Sequence, residues 1–466
     1  MPILAGFAVP HPPLIIPAVG GGREAGIQAT IDAYEEVGRR VGEFAPEIIV
    51  VCSPHTTIYR DYFHISPGPR THGDFGMFGA RQAAYQAEYD EEFTRALNRG
   101  CLLEGISGGT DYEQDPRLDH ATMIPMHFID KHLPSYKLVR IGLSGQNPGE
   151  HCRMGRLIQR VAADLGRRVV FVASGDLSHK LKEDGPYGFA PEGPAFDERV
   201  MDDFARGDLF DLFTFDHSFC ERAAECGLRS FQMMVGAFDC TPVACEVLSH
   251  EGPFGVGYGV AAVVPVGEEG SDGSLDLLER YEAFRTGDLA ARKAGEDPYV
   301  KLARASLEGY IAQGRYIDVP EGLPAELTDE RGACFVSLKI DGQLRGCIGT
   351  IQPTQASLAE EIIRNAVSAG MRDSRFRPVR AEELPELVYD VDVLTMPERI
   401  ESPEELDPSR YGVIVSTADG RRGLLLPDLG GIDTVEEQVR IAASKGGINP
   451  VRDRISLERF EVVRHL

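Results

Sequence analysis

Three histidines in this chain closely follow short apolar runs: His11 after LAGFAV in VPHPP, His55 after EIIVVC in SPHTT, and His179 after VVFVAS in GDLSH. A neutral imidazole nitrogen binds Fe, Zn, Cu or Ni well. Two imidazoles and one carboxylate make a facial triad, which on Fe(II) leaves positions for an organic substrate and for O2. The chain carries 73 Asp and Glu, so spacing alone does not choose the carboxylate. Taken singly, each histidine reads more readily as a surface or core residue than as a ligand. Three of them at apolar-run ends make a candidate constellation.

The elements that must position them are strands. Residues 3–9, 47–53, 137–144, 168–174 and 256–266 are short apolar runs of the kind that become buried strands. Helix-like stretches lie between the early ones, at 26–44 and 83–98. Strands alternating with helices predict an α/β sheet covered by helices on both faces. In such sheets function gathers beyond the carboxyl ends of the strands. If the strands are parallel, His11, His55 and His179 converge on one edge. Pro10, Pro12 and Pro13 stiffen the loop that aims His11, because proline fixes φ.

The bulk numbers exclude several classes. A formal net charge of −25 argues against a nucleic-acid binder and against polybasic attachment to lipid. No run of about 18 apolar residues occurs and no secretory leader is recognisable, since a proline-rich segment begins at Pro10. Nine scattered cysteines without a C-x-x-C pair point to reduced thiols and a cytoplasmic protein, and not to a thiolate zinc knuckle. With 466 residues, two or three domains are expected. Residues 267–274, GEEGSDGS, break the pattern, and 275–294 reads as a solvated bridging helix. The expected division is therefore 1–266, a linker at 267–296, and a smaller α+β domain at 297–466. In the latter, residues 299–313, 358–369 and 435–445 have helical spacing, and 387–394 and 412–416 look like strands. Residues 333–351 read as two strands around Asp341-Gly342, a dipeptide that tolerates the positive φ of a tight hairpin.

The strings VPHPP, SPH, LDHATMIPM and SGDLSH, in this order, resemble the class III extradiol dioxygenases of the LigB type over roughly the first 265 residues. The resemblance implies Fe(II) held by His11, His55 and a late Glu, for which AAECGLRSFQMMVGAF offers Glu225. It also implies His179 as acid/base and His120, in DHAT, as a contact to substrate and O2. Asp176 and Ser178 are candidates to orient His179. The related Memo proteins carry a Cys-Gly pair at the third-ligand position, and Cys226-Gly227 stands next to Glu225 here. A Cys226 ligand would favour Zn or Cu. The implied activity is opening of a catechol-like ring with O2, with His179 removing a hydroxyl proton and later returning one. The alternatives are a Zn-dependent hydrolase or lyase on the same ligands, or a Memo-like metal-binding scaffold.

The string LRGCIGT at 344–350, with GLLLP at 423–427, is similar to the AMMECR family over about residues 297–466. Its members pair with Memo-like or dioxygenase-like partners and with a radical-SAM protein in the AmmeMemoRadiSam system. Small neighbours around Cys347 let a ligand approach the backbone, and Arg345 is placed to lower a nearby thiol pKa. A buried small hydrophobe in a turn is the plainer reading of Cys347.

Overall fold

The structure is a computed structural model that describes residues 2–271, 276–429, 432 and 434–466. The chain divides into two compact units, Met1–Phe284 and Arg285–Leu466, and the division falls inside helix Leu277–Gly295. Among the described residues no helix is long and apolar enough to cross a membrane.

The first unit is built on a six-stranded sheet. Its strands are β1 (Ile3–Val9), β2 (Ile48–Ser53), β3 (Lys137–Gly142), β4 (Val169–Ser174), β5 (Val243–Glu251) and β6 (Tyr258–Pro265), in the order β3-β2-β4-β1-β6-β5. The first four run parallel, with Val50 opposite both Val139 and Phe171, and Phe7 opposite Val172. β6 pairs antiparallel with β1, and β5 antiparallel with β6. Parallel strands buried on both faces need near-continuous apolar sequence, and IIVVCS and VVFVAS provide it, every residue of both being buried.

Alternate side chains of these strands enter opposite cores. Ile48, Val50 and Cys52 join Phe93, Leu157 and Met233 on one face. Ile49 and Val51 join Tyr34, Val37, Val41 and Phe128 on the other. Helix Leu277–Gly295 is not wholly solvated, because Leu277 and Tyr281 are buried in the first of these cores. Residues 272–275, within the stretch read as linker and bridging helix, lie outside the described residues.

The expected helix at 83–98 is half strand. Residues Ala80–Glu88 pair antiparallel with Arg70–Phe75, and the helix runs over Glu91–Glu104. Ala83, Tyr85 and Ala87 alternate inward with period two, which overrides the helix preference of alanine-rich sequence. Asp90 marks the boundary, its side chain accepting from Phe93 N at 2.9 Å as an N-cap.

The second unit has two four-stranded sheets. One is ordered Gln343–Gly349, Ala333–Ile340, Val388–Leu394, Val462–His465; the other Glu398–Ile400, Ile455–Phe460, Gly412–Thr417, Arg422–Leu425. Helices Pro298–Gln313 and Leu358–Met371 pack on the first sheet, and Val435–Lys445 on the second. Asp341 and Gly342 close the hairpin with φ of 50° and 75°, the left-handed pair a tight turn requires.

One buried histidine away from the sheet edge couples this fold to pH. His151 is fully buried on helix Pro148–Asp164, its Nδ1–H donating to the Asn147 carbonyl at 3.1 Å, and burial pulls its pKa down to about 3. The unfolded chain protonates this group near 6.5. Between those values the unfolded state binds a proton that the folded state refuses, so stability is lost as pH falls below about 6.5. For His151→Leu, urea unfolding at pH 7 and pH 5 should show a stability loss smaller than the wild type's by about 2 kcal/mol. An identical loss in both proteins would refute the assignment.

A candidate metal centre at the strand ends

His11, His55 and His179 lie just beyond the carboxyl ends of β1, β2 and β4, three strands adjacent in the sheet. The parallel order therefore brings the first two together: His55 Nε2 is 3.0 Å from His11 Nε2. The third donor near them is Cys226, whose Sγ is 3.6 Å from His11 Nε2. One atom from each of His11, His55 and Cys226 falls within 4.8 Å of the others. Donors on one small cation, at ~2.0–2.1 Å for nitrogen and ~2.3 Å for sulfur, sit about 3–4 Å apart. The spacing of this group fits a single ion.

Glu225, expected as the third ligand, lies outside the His11–His55–Cys226 group, although His179 is near enough to act on its charge. Its Oε2 accepts from Leu228 N at 2.8 Å, at the start of helix Leu228–Gly236. It is Cys226, the neighbour weighed against it, that enters the donor group.

The backbone explains why Cys226 can be there. A Cβ on Gly175 would stand 2.1 Å from Gly227 Cα, so the loop after β4 and the 225–227 segment meet backbone to backbone. That approach lets Asp176 N donate to Cys226 Sγ at 3.3 Å. Asp176 also accepts from His11 N at 2.6 Å through Oδ1, and its Oδ2 stands 3.9 Å from both His11 Nε2 and His179 Nε2.

The histidines are positioned by contacts to their rings or to the backbone that carries them. His11 Nδ1 is 3.1 Å from Ser174 Oγ, which leaves Nε2 facing the group. Ser53 Oγ accepts from His55 N at 3.1 Å and donates to Asp119 Oδ1 at 2.7 Å. Asp119 caps helix His120–Ile129, accepting from Thr122 N at 3.0 Å, and so sets His120, whose ring centroid is 4.2 Å from that of His55. Phe78 lies against the other side of His120 and Tyr187 against His179. His179 Nδ1–H donates to the Ala224 carbonyl, and Ala224 holds φ of 54° to present it. Ser178 serves this arrangement indirectly, its Oγ donating to the Ala223 carbonyl at 2.7 Å.

Burial, with crowding second, disfavours the charged forms of His11, His55 and His120. Burial, then the neighbouring His55, His120 and His179, hold His11 well below the usual imidazole range. Burial first, then His55, takes His120 down to about 4. Loss of water and then His179 lower His55, against the pull of Asp119. Burial raises Asp176 to about 6 and pushes the Cys226 thiol up. Neutral imidazoles are the form that ligates, and a thiol in this setting becomes a thiolate only when a cation replaces its proton. His55 is the exposed member, so the group is open to solvent on its side. Ser53, Ser174 and the Ala223–Ala224 carbonyls escaped the sequence reading; the two serines share one signal, each being the last residue of its strand.

In the second unit, Arg345 and Cys347 do not form a thiolate pair. Arg345 Nε and Nη2 donate to Glu383 at 2.7 and 3.1 Å. Cys347 Sγ accepts from Ser337 Oγ at 3.3 Å, and burial raises its thiol pKa despite help from Ser337 and Arg375.

The fold and the strand-end donor group together define a LigB-type protein joined to a second, unrelated domain. A profile of the family described as the catalytic LigB subunit of aromatic ring-opening dioxygenase matches residues 5–261, and a profile of AMMECR1 matches 300–465. The chain belongs to the LigB family, with an AMMECR1 domain following. A Clostridium acetobutylicum protein, CA_C1420, is 38% identical over 467 residues, 98% of each chain, and so shares the whole two-domain architecture. A Thermotoga maritima protein is 50% identical over 172 residues, 37% of this chain and 98% of its own. Protein PH0010 of Pyrococcus horikoshii, whose crystal structure is known, is 33% identical over 36% of this chain and 88% of its own, with a TM-score of 0.34.

The contact of Gly175 with Gly227 yields a test. Gly175→Ala forces the two loops apart at a cost of about 1–3 kcal/mol and draws Cys226 away from His11. Metal retained after dialysis should fall well below the wild type's, and a variant that keeps wild-type stability and metal would contradict the contact.

Proposed function

We propose that the first unit is a ring-opening dioxygenase that takes a catechol-like substrate and O2 on one Fe(II) held by His11, His55 and the Cys226 thiolate. The observation that carries this reading is the fixed tautomer of His179. Its Nδ1–H is committed to the Ala224 carbonyl, so Nε2, 3.9 Å from Asp176 Oδ2, is the nitrogen left to exchange a proton. A structural metal site has no use for such a base.

When bound, Fe(II) supplies Lewis acidity toward the substrate's oxygens and electrons toward O2. His179 Nε2 takes a proton from a substrate hydroxyl and later returns it. Asp176, beside it, steadies the imidazolium while that proton is held. His120 donates a hydrogen bond to developing negative charge, and Phe78 restricts how its ring can turn. Opening the ring with O2 places both oxygen atoms in the product and needs no external reductant. The AMMECR1 domain supports, as part of this proposal, a role in the AmmeMemoRadiSam system with a radical-SAM protein as partner.

Cys226 favours a second reading. A thiolate with two imidazoles suits Zn or Cu as well as iron, and the well-attested oxygenase triad uses a carboxylate. On that reading the unit is an O2-independent hydrolase or lyase, or a metal-binding scaffold.

One measurement tests the ligand set and another separates the two readings. After anaerobic loading, Cys226→Ala should bind Fe(II) or Zn(II) at least tenfold more weakly, and Glu225→Gln should bind as the wild type does; the reverse pattern returns Glu225 to the ligand set. Oxygen uptake by the Fe(II) protein over a panel of catechols should be substrate-dependent. His179→Ala should keep its iron and lose about 10²–10⁴ in rate. Iron demonstrably bound with no catechol-dependent uptake would sink the dioxygenase reading.

A further inference from the structure

The second unit holds a feature that the metal centre does not use. A cavity of about 410 Å³ is lined by Arg345, Arg377, Pro378, Arg380, Glu382 and Glu383. Its size is that of a small-molecule site. In a chain of net charge −25 its wall carries three guanidinium groups against two carboxylates.

The charges are not mutually satisfied. Glu383 is taken by Arg345 through Nε and Nη2, and its own carboxylate further accepts from Arg380 N at 2.8 Å. That leaves Arg345 Nη1 buried with no hydrogen-bond partner, a costly state for a charged donor. Arg377 and Arg380 are exposed and form no ion pair among the described residues. Arg345 is held in place from a second side by the Phe376 ring, 5.9 Å from its guanidinium carbon.

We propose that this cavity binds a small phosphate monoester. The unpaired guanidinium forks of Arg377 and Arg380 match its charge of about −2 and its three acceptor oxygens. A carboxylate would be served by one fork and would leave the other unpaired. Glu382, also without an ion-pair partner among the described residues, offers an acceptor to a hydroxyl or amine on the ester's organic part. The Arg345–Glu383 pair forms a fixed part of the cavity wall.

Calorimetry on the full chain at constant chloride tests this, with glycerol 3-phosphate, inorganic phosphate and acetate as probes. Both phosphates should saturate one site per chain. The double variant Arg377→Gln/Arg380→Gln changes only exposed side chains and should weaken both at least tenfold. Arg452→Gln, an exposed arginine away from the cavity wall, should change neither. Acetate should not saturate in the same range. Any of four results overturns the proposal: no saturation by either phosphate up to about 10 mM, binding that survives the double variant, an equal loss in Arg452→Gln, or acetate binding as tightly as the phosphates.

Discussion

Three strand ends can serve one site only if the strands run the same way and stop in line. The parallel pairing of β4 with β1 on one side and β2 on the other imposes that condition, with Val9 opposite Ser174 and Cys52 opposite Ala173. Each strand then releases its chain at the same sheet edge, so that one residue brings His11 or His55 to the centre and a four-residue loop brings His179. The serines that end β2 and β4 complete the geometry, since Ser53 and Ser174 are fixed by the sheet and hold His55 and His11 in turn. Antiparallel pairing of any one of these strands would send its histidine to the far edge.

A cluster made this way is electrostatically expensive. Four imidazoles and the Asp176 carboxyl share a small volume, and every resolved shift among them disfavours the charged form. The cost is lowest when the imidazoles are neutral and a cation supplies the positive charge. The same logic explains why the backbone does so much of the orienting. The Ala224 carbonyl fixes a ring nitrogen, the Asp176 amide the thiol and the Ala223 carbonyl the Ser178 hydroxyl, without adding another titratable group.

The strand-end histidines were legible because the sequence signal was local: an apolar run, then a histidine. The α/β sheet followed from the same runs, its parallel order having been only a condition and the run at 256–266 pairing antiparallel, and the Asp341-Gly342 turn followed from its dipeptide. What stayed hidden depended on contacts distant in the chain. Glu225 and Cys226 are adjacent, and a choice between them needs the helix start at Leu228 that claims the carboxylate and the Gly175–Gly227 approach that presents the thiol. Residues 80–88 failed for a related reason. Their alanines read as helix, and only pairing with Arg70–Phe75 reveals the two-residue period of Ala83, Tyr85 and Ala87.

Arg345 shows how a local reading can name the right residue for the wrong chemistry. Two positions from Cys347 in a strand, it belongs by simple alternation to the same face as the thiol. The strand is not regular there. Register shifts between Leu338 and Lys339, so that Leu338 faces Gly346 and Lys339 faces Leu344, and Arg345 is left unpaired on the bulge. A bulge re-aims its side chain, and here the guanidinium turns to Glu383 and lines the cavity. Cys347, past the bulge and opposite Ser337, stays half-buried under a raised pKa. The single extra residue thus separates a thiol from the cation that would activate it and gives that cation to an anion-accepting wall.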